Sequence, residues 1–459
     1  MDPSPMKQLT NCPTHQPMDP LGIRPLFARR VGVAAADACV VSPRICDLVR
    51  PDEQLDPLGL AVLLTFGFPL GDRTVFRDVR RVGAGECVDL ESGTSVGDCG
   101  RVNPSARLPD DDELLEIFLD GLQRSLGQSS PIVPLSGGRD SRLILLGLRA
   151  LGVRPRRLLT CGGLGASEDA IVATRLARFF AEPIEGVATA AFSGQTELWR
   201  HRAQNFESLE HGWFVNLALR TRALGGPVTD GIGLGVLSTG SLMKPEAVAL
   251  WRARRLNELA EWTIEHAAGT GSEVMQSIAR CDIPLASADE VRHAFVQSIE
   301  ELDHLPNPLG AFSLFHWTRR GISASAFGLL DAYRTIAPLC DARLASALLA
   351  EDLDRARASD WRERLIRRLD DSGIPFSDDS SAIPASGGRS WISSKGARVT
   401  SAPTRAASAW AWKAFARGTT PRLRPLAEAV GELKGTRRTF GRSAFGCLAA
   451  LIATTNGGE

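Results

Sequence analysis

The stretch Pro131-Ile132-Val133-Pro134-Leu135-Ser136-Gly137-Gly138-Arg139-Asp140-Ser141-Arg142-Leu143-Ile144-Leu145-Leu146 decides the fold. Residues 131–135 read as a buried strand, Gly137 and Gly138 as a turn, and the apolar run after Arg142 as a helix running to Leu151. A strand that hands over to a helix through glycines is a natural seat for an anion. Glycines let backbone N–H groups converge, and the helix N-terminus adds partial positive charge. The hydroxyls of Ser136 and Ser141 add donors. Asp140 repels a phosphate directly, and a carboxylate beside phosphates usually holds Mg2+. Two commoner phosphate loops are excluded. No lysine is present for a Walker loop, and the glycines lack G-x-G-x-x-G spacing.

The flanking sequence extends the pattern. Residues 110–126 place Leu114, Leu115, Phe118, Leu119 and Leu122 at helical spacing. A second strand, Arg157-Leu158-Leu159-Thr160, ends at Cys161-Gly162-Gly163, and Ser167 caps a further helix through Ala177 and Phe180. Buried strands alternating with helices predict an α/β fold with a doubly wound parallel sheet. Ligands of such sheets bind beyond the carboxyl ends of the strands, where Ser136–Ser141 and residues 160–163 both fall.

The bulk composition bounds the rest. A chain of 459 residues suggests two to three domains. Lys plus Arg and Asp plus Glu number 53 each, so net charge gives no basis for a nucleic-acid or anionic-membrane partner. Nine scattered cysteines without a C-x-x-C pair fit reduced thiols better than disulfides or a zinc site. Residues 1–20 are polar and proline-rich, unlike a signal peptide, and the apolar run 444–453 is too short to span a bilayer. The expected location is cytoplasmic. Residues 1–105 carry short strand-like patterns at 31–35 and 85–90 and a helix at 58–66.

The S-G-G-x-D-S loop after a strand resembles the pyrophosphate loop (PP-loop) of the ATP-pyrophosphatase enzymes. These include the asparagine synthetases, β-lactam synthetases and lasso-peptide cyclases. Four further segments extend the likeness. Ser167-Glu168-Asp169, with Ala173, Leu176 and Ala177, resembles S-x-D-x-x-x-A-x-x-[VL]-A. Asp230-Gly231-Ile232-Gly233-Leu234-Gly235 resembles D-G-x-G-G-D. Arg319-Arg320 followed by Pro338-Leu339-Cys340-Asp341 resembles R-R…P-[FL]-x-D. Asp19-Pro20-Leu21-Gly22-Ile23-Arg24-Pro25-Leu26-Phe27 resembles D-x-x-G-x-x-P-L-[YF] of the N-terminal glutaminase domain.

The resemblance spans residues 19–350. It implies a truncated, β-rich glutaminase-like domain at 1–105 and an ATP-binding domain at 106–380, of the adenine nucleotide alpha-hydrolase-like type. A mobile loop and basic helical extension would follow at 381–459. It places ATP against Leu135, Ser136, Gly137, Gly138, Asp140, Ser141, Cys161, Gly162, Asp230 and Gly231, and Mg2+ on Asp140. Lys395 is the candidate catalytic lysine of a late loop, and Arg320 a candidate to face an acidic substrate or phosphate. Pairing of that arginine with acidic neighbours is the alternative.

Two departures stand out. Gly235 occupies the position of the second metal aspartate. Met1 is followed by Asp2, and Cys12 lies only seven residues before Asp19, so glutamine hydrolysis is not expected of this sequence. The implied activity is formation of an amide from a carboxylate activated as acyl-AMP and an amine already on the substrate. A lasso-type cyclase is favoured, with a small-molecule or peptide carboxylate and a precursor-peptide or peptidase partner. The alternatives are a non-catalytic or weakly active nucleotide- or peptide-binding homologue, or a glutamine-hydrolysing asparagine synthetase whose start lies upstream.

Overall fold

The structure is a computed structural model that describes residues 15–17, 20–30, 39–89, 95–98, 102–105, 107–162, 164, 167–189, 194–266, 271–281, 283–331, 334–377, 423, 426–427 and 435–455. Its N-terminal strands are β1 (His15–Pro17), β2 (Phe27–Arg30), β3 (Cys39–Ser42), β4 (Val79–Arg81), β5 (Glu86–Asp89) and β6 (Ser95–Asp98). They pair into two antiparallel sheets, in the orders β1-β5-β6 and β3-β2-β4. The strand expected at 31–35 lies outside the described residues, whereas β5 falls where the sequence places one. Helix α1 (Pro57–Phe66) starts on the Asp56 side chain, which accepts the N–H of Leu58 and Gly59, and stops at Gly67 with φ +85°.

The third sheet is wholly parallel, in the order β11-β10-β7-β8-β9. Its strands are β7 (Ile132–Pro134), β8 (Arg157–Cys161), β9 (Ile184–Val187), β10 (Val228–Thr229) and β11 (Thr335–Ile336). Successive residues face opposite sides, as strand geometry requires. Val133 and Leu158 enter one core with Phe118, Leu143 and Leu176, while Ile132 and Leu159 enter another with Val215, Ala218, Leu329 and Leu330. Both faces are therefore covered, as in the doubly wound class. The chain runs from β7 outward through β8 and β9, then crosses to β10 and β11 on the other side. The switch point lies between β7 and β10.

The helices around β7 are specified locally. In α2 (Asp111–Leu126), Asp110 and Glu113 form a capping box, and Leu114, Phe118, Leu122 and Leu126 are buried. Helix α3 (Arg139–Ala150) lies close to α2, where a Cβ on Gly147 would come within 2.7 Å of the Phe118 ring. Ser167 caps α4 (Glu168–Phe179) by accepting the Ala170 N–H. The N-terminal layer is not packed in isolation. Leu21 and Ile23 join the core of β7 and α3, and Phe27, Leu60 and Phe76 pack with Phe445 and Leu448 of the helix Gly435–Thr455. Among the described residues, no helix is long and apolar enough to cross a membrane.

Candidate functional site

The loop 136–141 sits at the carboxyl end of β7, beside the switch point. Leu135 donates its N–H to Leu159 O at 2.7 Å, which holds the strand until the turn begins. The cap residue Gly138 gives α3 no side-chain cap, so the helix opens directly onto the loop. The loop ties its own donors together. Ser136 N–H donates to Ser141 Oγ at 3.0 Å, Gly138 N–H to Ser136 Oγ at 3.1 Å, and the two hydroxyls lie 2.9 Å apart. Gly137 N–H donates outward, to Asp169 Oδ1 in the first turn of α4, at 2.8 Å.

Ser377 closes over the same point. Its N–H donates to Gly137 O at 3.3 Å and its hydroxyl to Asp169 Oδ1 at 3.0 Å. A Cβ on Gly137 would come within 2.8 Å of Ser377 Oγ, so this glycine answers to space. The segment leading to Ser377 is tied to α3. Buried Arg142 donates to Ile374 O and Pro375 O, and both Arg139 and Arg142 stack on the Phe376 ring, at 4.6 and 4.4 Å.

The turn after β10 meets this loop. Asp230 N–H donates to Ile336 O at 2.9 Å, and a Cβ on Gly231 would lie 2.8 Å from the Asp140 Cβ. Burial, and then the Asp140 charge, push the Asp230 carboxyl up to about 6. Two candidate signatures 90 residues apart therefore meet at one spot. Gly233, with φ +75°, packs against Thr318 and Leu339.

The partner of Asp140 is a residue that sequence reasoning missed. Arg362, from the helix Trp361–Leu369, donates Nη1 to Asp140 Oδ1. Its Nε and Nη2 grip Asp360, at 2.9 and 2.5 Å, and Nη2 also reaches Thr239 Oγ1 at 3.2 Å. The guanidinium lies against Gly235, where a Cβ would stand 2.1 Å from Nη1 and 2.4 Å from Cζ. Gly235 has φ −92°, which any residue adopts, so the glycine provides room rather than conformation. Arg139 extends the charge network, with Nε on Glu363 Oε1 at 2.5 Å.

These residues do not fit a carboxylate-held Mg2+. Among the described residues no group of three or more His, Cys, Asp or Glu side chains is disposed to hold a metal ion. Asp140, expected as the metal ligand, is instead an arginine-paired carboxylate, because a fixed cation already lies against it.

The other candidates divide. Cys161 and Gly162 end β8; Cys161 Sγ lies 3.5 Å from Trp213 O, and burial pushes its thiol up to about 11, which keeps it from acting as a nucleophile. Arg320, expected to face a ligand, is fully buried and donates to internal acceptors from all three of its nitrogens. It donates Nε to Glu207 at 2.6 Å, Nη1 to Gly71 O and Nη2 to Arg73 O, so it ties the N-terminal layer to the helical segment Ser313–Ile322. Its neighbour Arg319 does likewise with Asp72 and Val82 O. Asp341 caps the helix Ala342–Leu349. Lys395 and the mobile loop expected from residue 381 lie outside the described residues. No motif announces Arg362 or Ser377; the Asp360 cap ahead of the helix Trp361–Leu369 is the only local signal nearby. Compared with known proteins, the chain matches no protein-family model and no curated sequence.

Proposed function

We propose that this chain is an ATP-dependent, amide-forming ligase of the asparagine-synthetase type. One observation carries the reading: the S-G-G-x-D-S loop and the Asp230-Gly231 turn converge beside the switch point of a parallel sheet. The triphosphate would lie over the loop, taking the N–H groups of residues 136–138 and the hydroxyls of Ser136 and Ser141 in place of their internal partners. A substrate carboxylate attacks the α-phosphorus, and the bond to pyrophosphate breaks. An amine then attacks the acyl carbon of the acyl-AMP, AMP leaves, and the amine loses a proton. Donors fixed on the backbone stabilise the charge that develops on the departing pyrophosphate. The amine is best sought on the substrate itself, as in a peptide that closes into a lactam.

A second reading, a nucleotide- or peptide-binding homologue without turnover, is favoured by the Arg362–Asp140 pair, which commits the loop carboxylate to an internal cation. Incubating the full chain with ATP and a panel of amino acids and amine-bearing peptide carboxylates tests both. The ligase yields AMP and pyrophosphate in equal amounts with a dehydrated product, and Asp140→Ala lowers the rate at least tenfold. Release of ADP and phosphate, or turnover untouched by Asp140→Ala, overturns the ligase reading. ATP binding without AMP formation across the panel selects the second.

A further inference from the structure

Between Asp140 and Gly235 the chain carries a guanidinium where a carboxylate pair would otherwise meet a metal ion. The Arg362 side chain is 6% exposed, and its salt bridges to Asp140 and Asp360 join α3 to the helix Trp361–Leu369. Four of its five N–H groups are engaged, by Asp140, Thr239 and both oxygens of Asp360. Asp360 is itself held by the helix it caps and lies 3.7 Å from Arg139 Nε, so Arg362 is not its only compensation. Gly235 completes the argument. Any side chain there would expel the guanidinium, although the backbone tolerates one. The missing Cβ and the buried cation thus form one device.

We propose that Arg362 takes the place of a divalent cation in this site, so that the phosphates of a nucleoside triphosphate meet a fixed guanidinium and bind without Mg2+. This inference rests on the nucleotide-binding part of the function proposed above. One N–H, on Nη1, remains for a phosphate oxygen, and the guanidinium stays charged throughout the accessible pH range. A metal ion brought to Asp140 would meet like charge at close range.

The test is calorimetric titration of the full chain with ATP, in EDTA and in excess Mg2+. The expected dissociation constants agree within threefold. Arg362→Ala, and Gly235→Ala, which displaces the guanidinium without removing it, each weaken binding in EDTA at least tenfold, with folding checked by thermal melting. Wild-type binding that weakens tenfold or more in EDTA overturns the inference while leaving the ligase reading standing. Absence of ATP binding under both conditions overturns both. Mn2+ titration followed by electron paramagnetic resonance supplies a nucleotide-free readout. Wild type is expected to leave Mn2+ free, and retention that Asp140→Asn abolishes overturns the inference.

Discussion

The backbone N–H of Gly137 donates to the carboxylate of Asp169 at 2.8 Å, so a negative oxygen already occupies a donor of the loop. Ser377 adds its hydroxyl to the same oxygen. An incoming phosphate must displace this arrangement and faces the Asp169 charge while doing so. Asp169→Asn keeps the size and one acceptor but removes the charge. Calorimetry should then give roughly three- to tenfold tighter ATP binding, about 1 kcal/mol. The α4 helix loses an acidic group from its first turn, at a cost of about 0.3–1 kcal/mol in a melting experiment. Weaker ATP binding in the variant would show that the carboxylate assists the ligand instead.

Arg320 and Arg81 share Glu207, and all three side chains are shielded from solvent. Truncating either arginine leaves a buried carboxylate undercompensated, which typically costs about 3–5 kcal/mol. Arg320→Ala should therefore shift the urea midpoint strongly, while the folded fraction binds ATP within twofold of wild type. Loss of ATP affinity at unchanged stability would restore Arg320 to the site.

The local parts of this site were legible and the long-range parts were not. The strand, glycine turn and helix around 131–150 follow from apolar patterning, and the cap at Ser167 from a side chain that reaches only three residues ahead. The meeting of Ser136–Ser141 with Asp230 was implied by the family resemblance, not by patterning. Arg362 lies 222 residues from Asp140, and Arg320 113 from Glu207. No periodicity links such pairs, since they are set by how helices pack. Asp140 read as a metal ligand because a carboxylate beside a phosphate loop usually holds Mg2+, and nothing local shows that Arg362 lies against it. Gly235 was visible as a departure, but its reason, room for a guanidinium, required the fold.

Asp230 gives a pH signature. Its carboxyl titrates at about 6 in the folded chain against an ordinary 3.8, because burial and the Asp140 charge disfavour ionisation. Between those values the folded state holds the proton more tightly than the unfolded state, so this group's contribution to stability falls as pH rises from about 4 to about 6 and then levels off. Asp230→Asn removes the penalty. The variant should be more stable than wild type by about 1–3 kcal/mol above pH 6, with the gap closing below pH 4. Urea unfolding across that range measures it. A gap that persists at pH 4, or one of opposite sign, refutes the assignment.

Arg142 anchors the segment that covers the loop. It is buried in α3 and donates to Asp370 Oδ2, Ile374 O and Pro375 O, at 3.2, 2.6 and 2.9 Å. Beneath Phe376 it helps hold Ser377 against Gly137. Arg142→Met keeps much of the apolar stem but leaves two carbonyls and the Asp370 carboxylate short of a donor, each loss worth about 1–3 kcal/mol. The segment 371–377 has no regular secondary structure to retain it once that donor is gone. Its amides, Ser377 among them, should exchange with deuterium at least tenfold faster, while those in the middle of α3 remain protected. Removing this cover also frees Asp169 from the Ser377 hydroxyl, so ATP should associate faster with the variant in stopped-flow measurements. Unchanged protection of residues 371–377 would mean that Phe376 packing alone holds the cover in place.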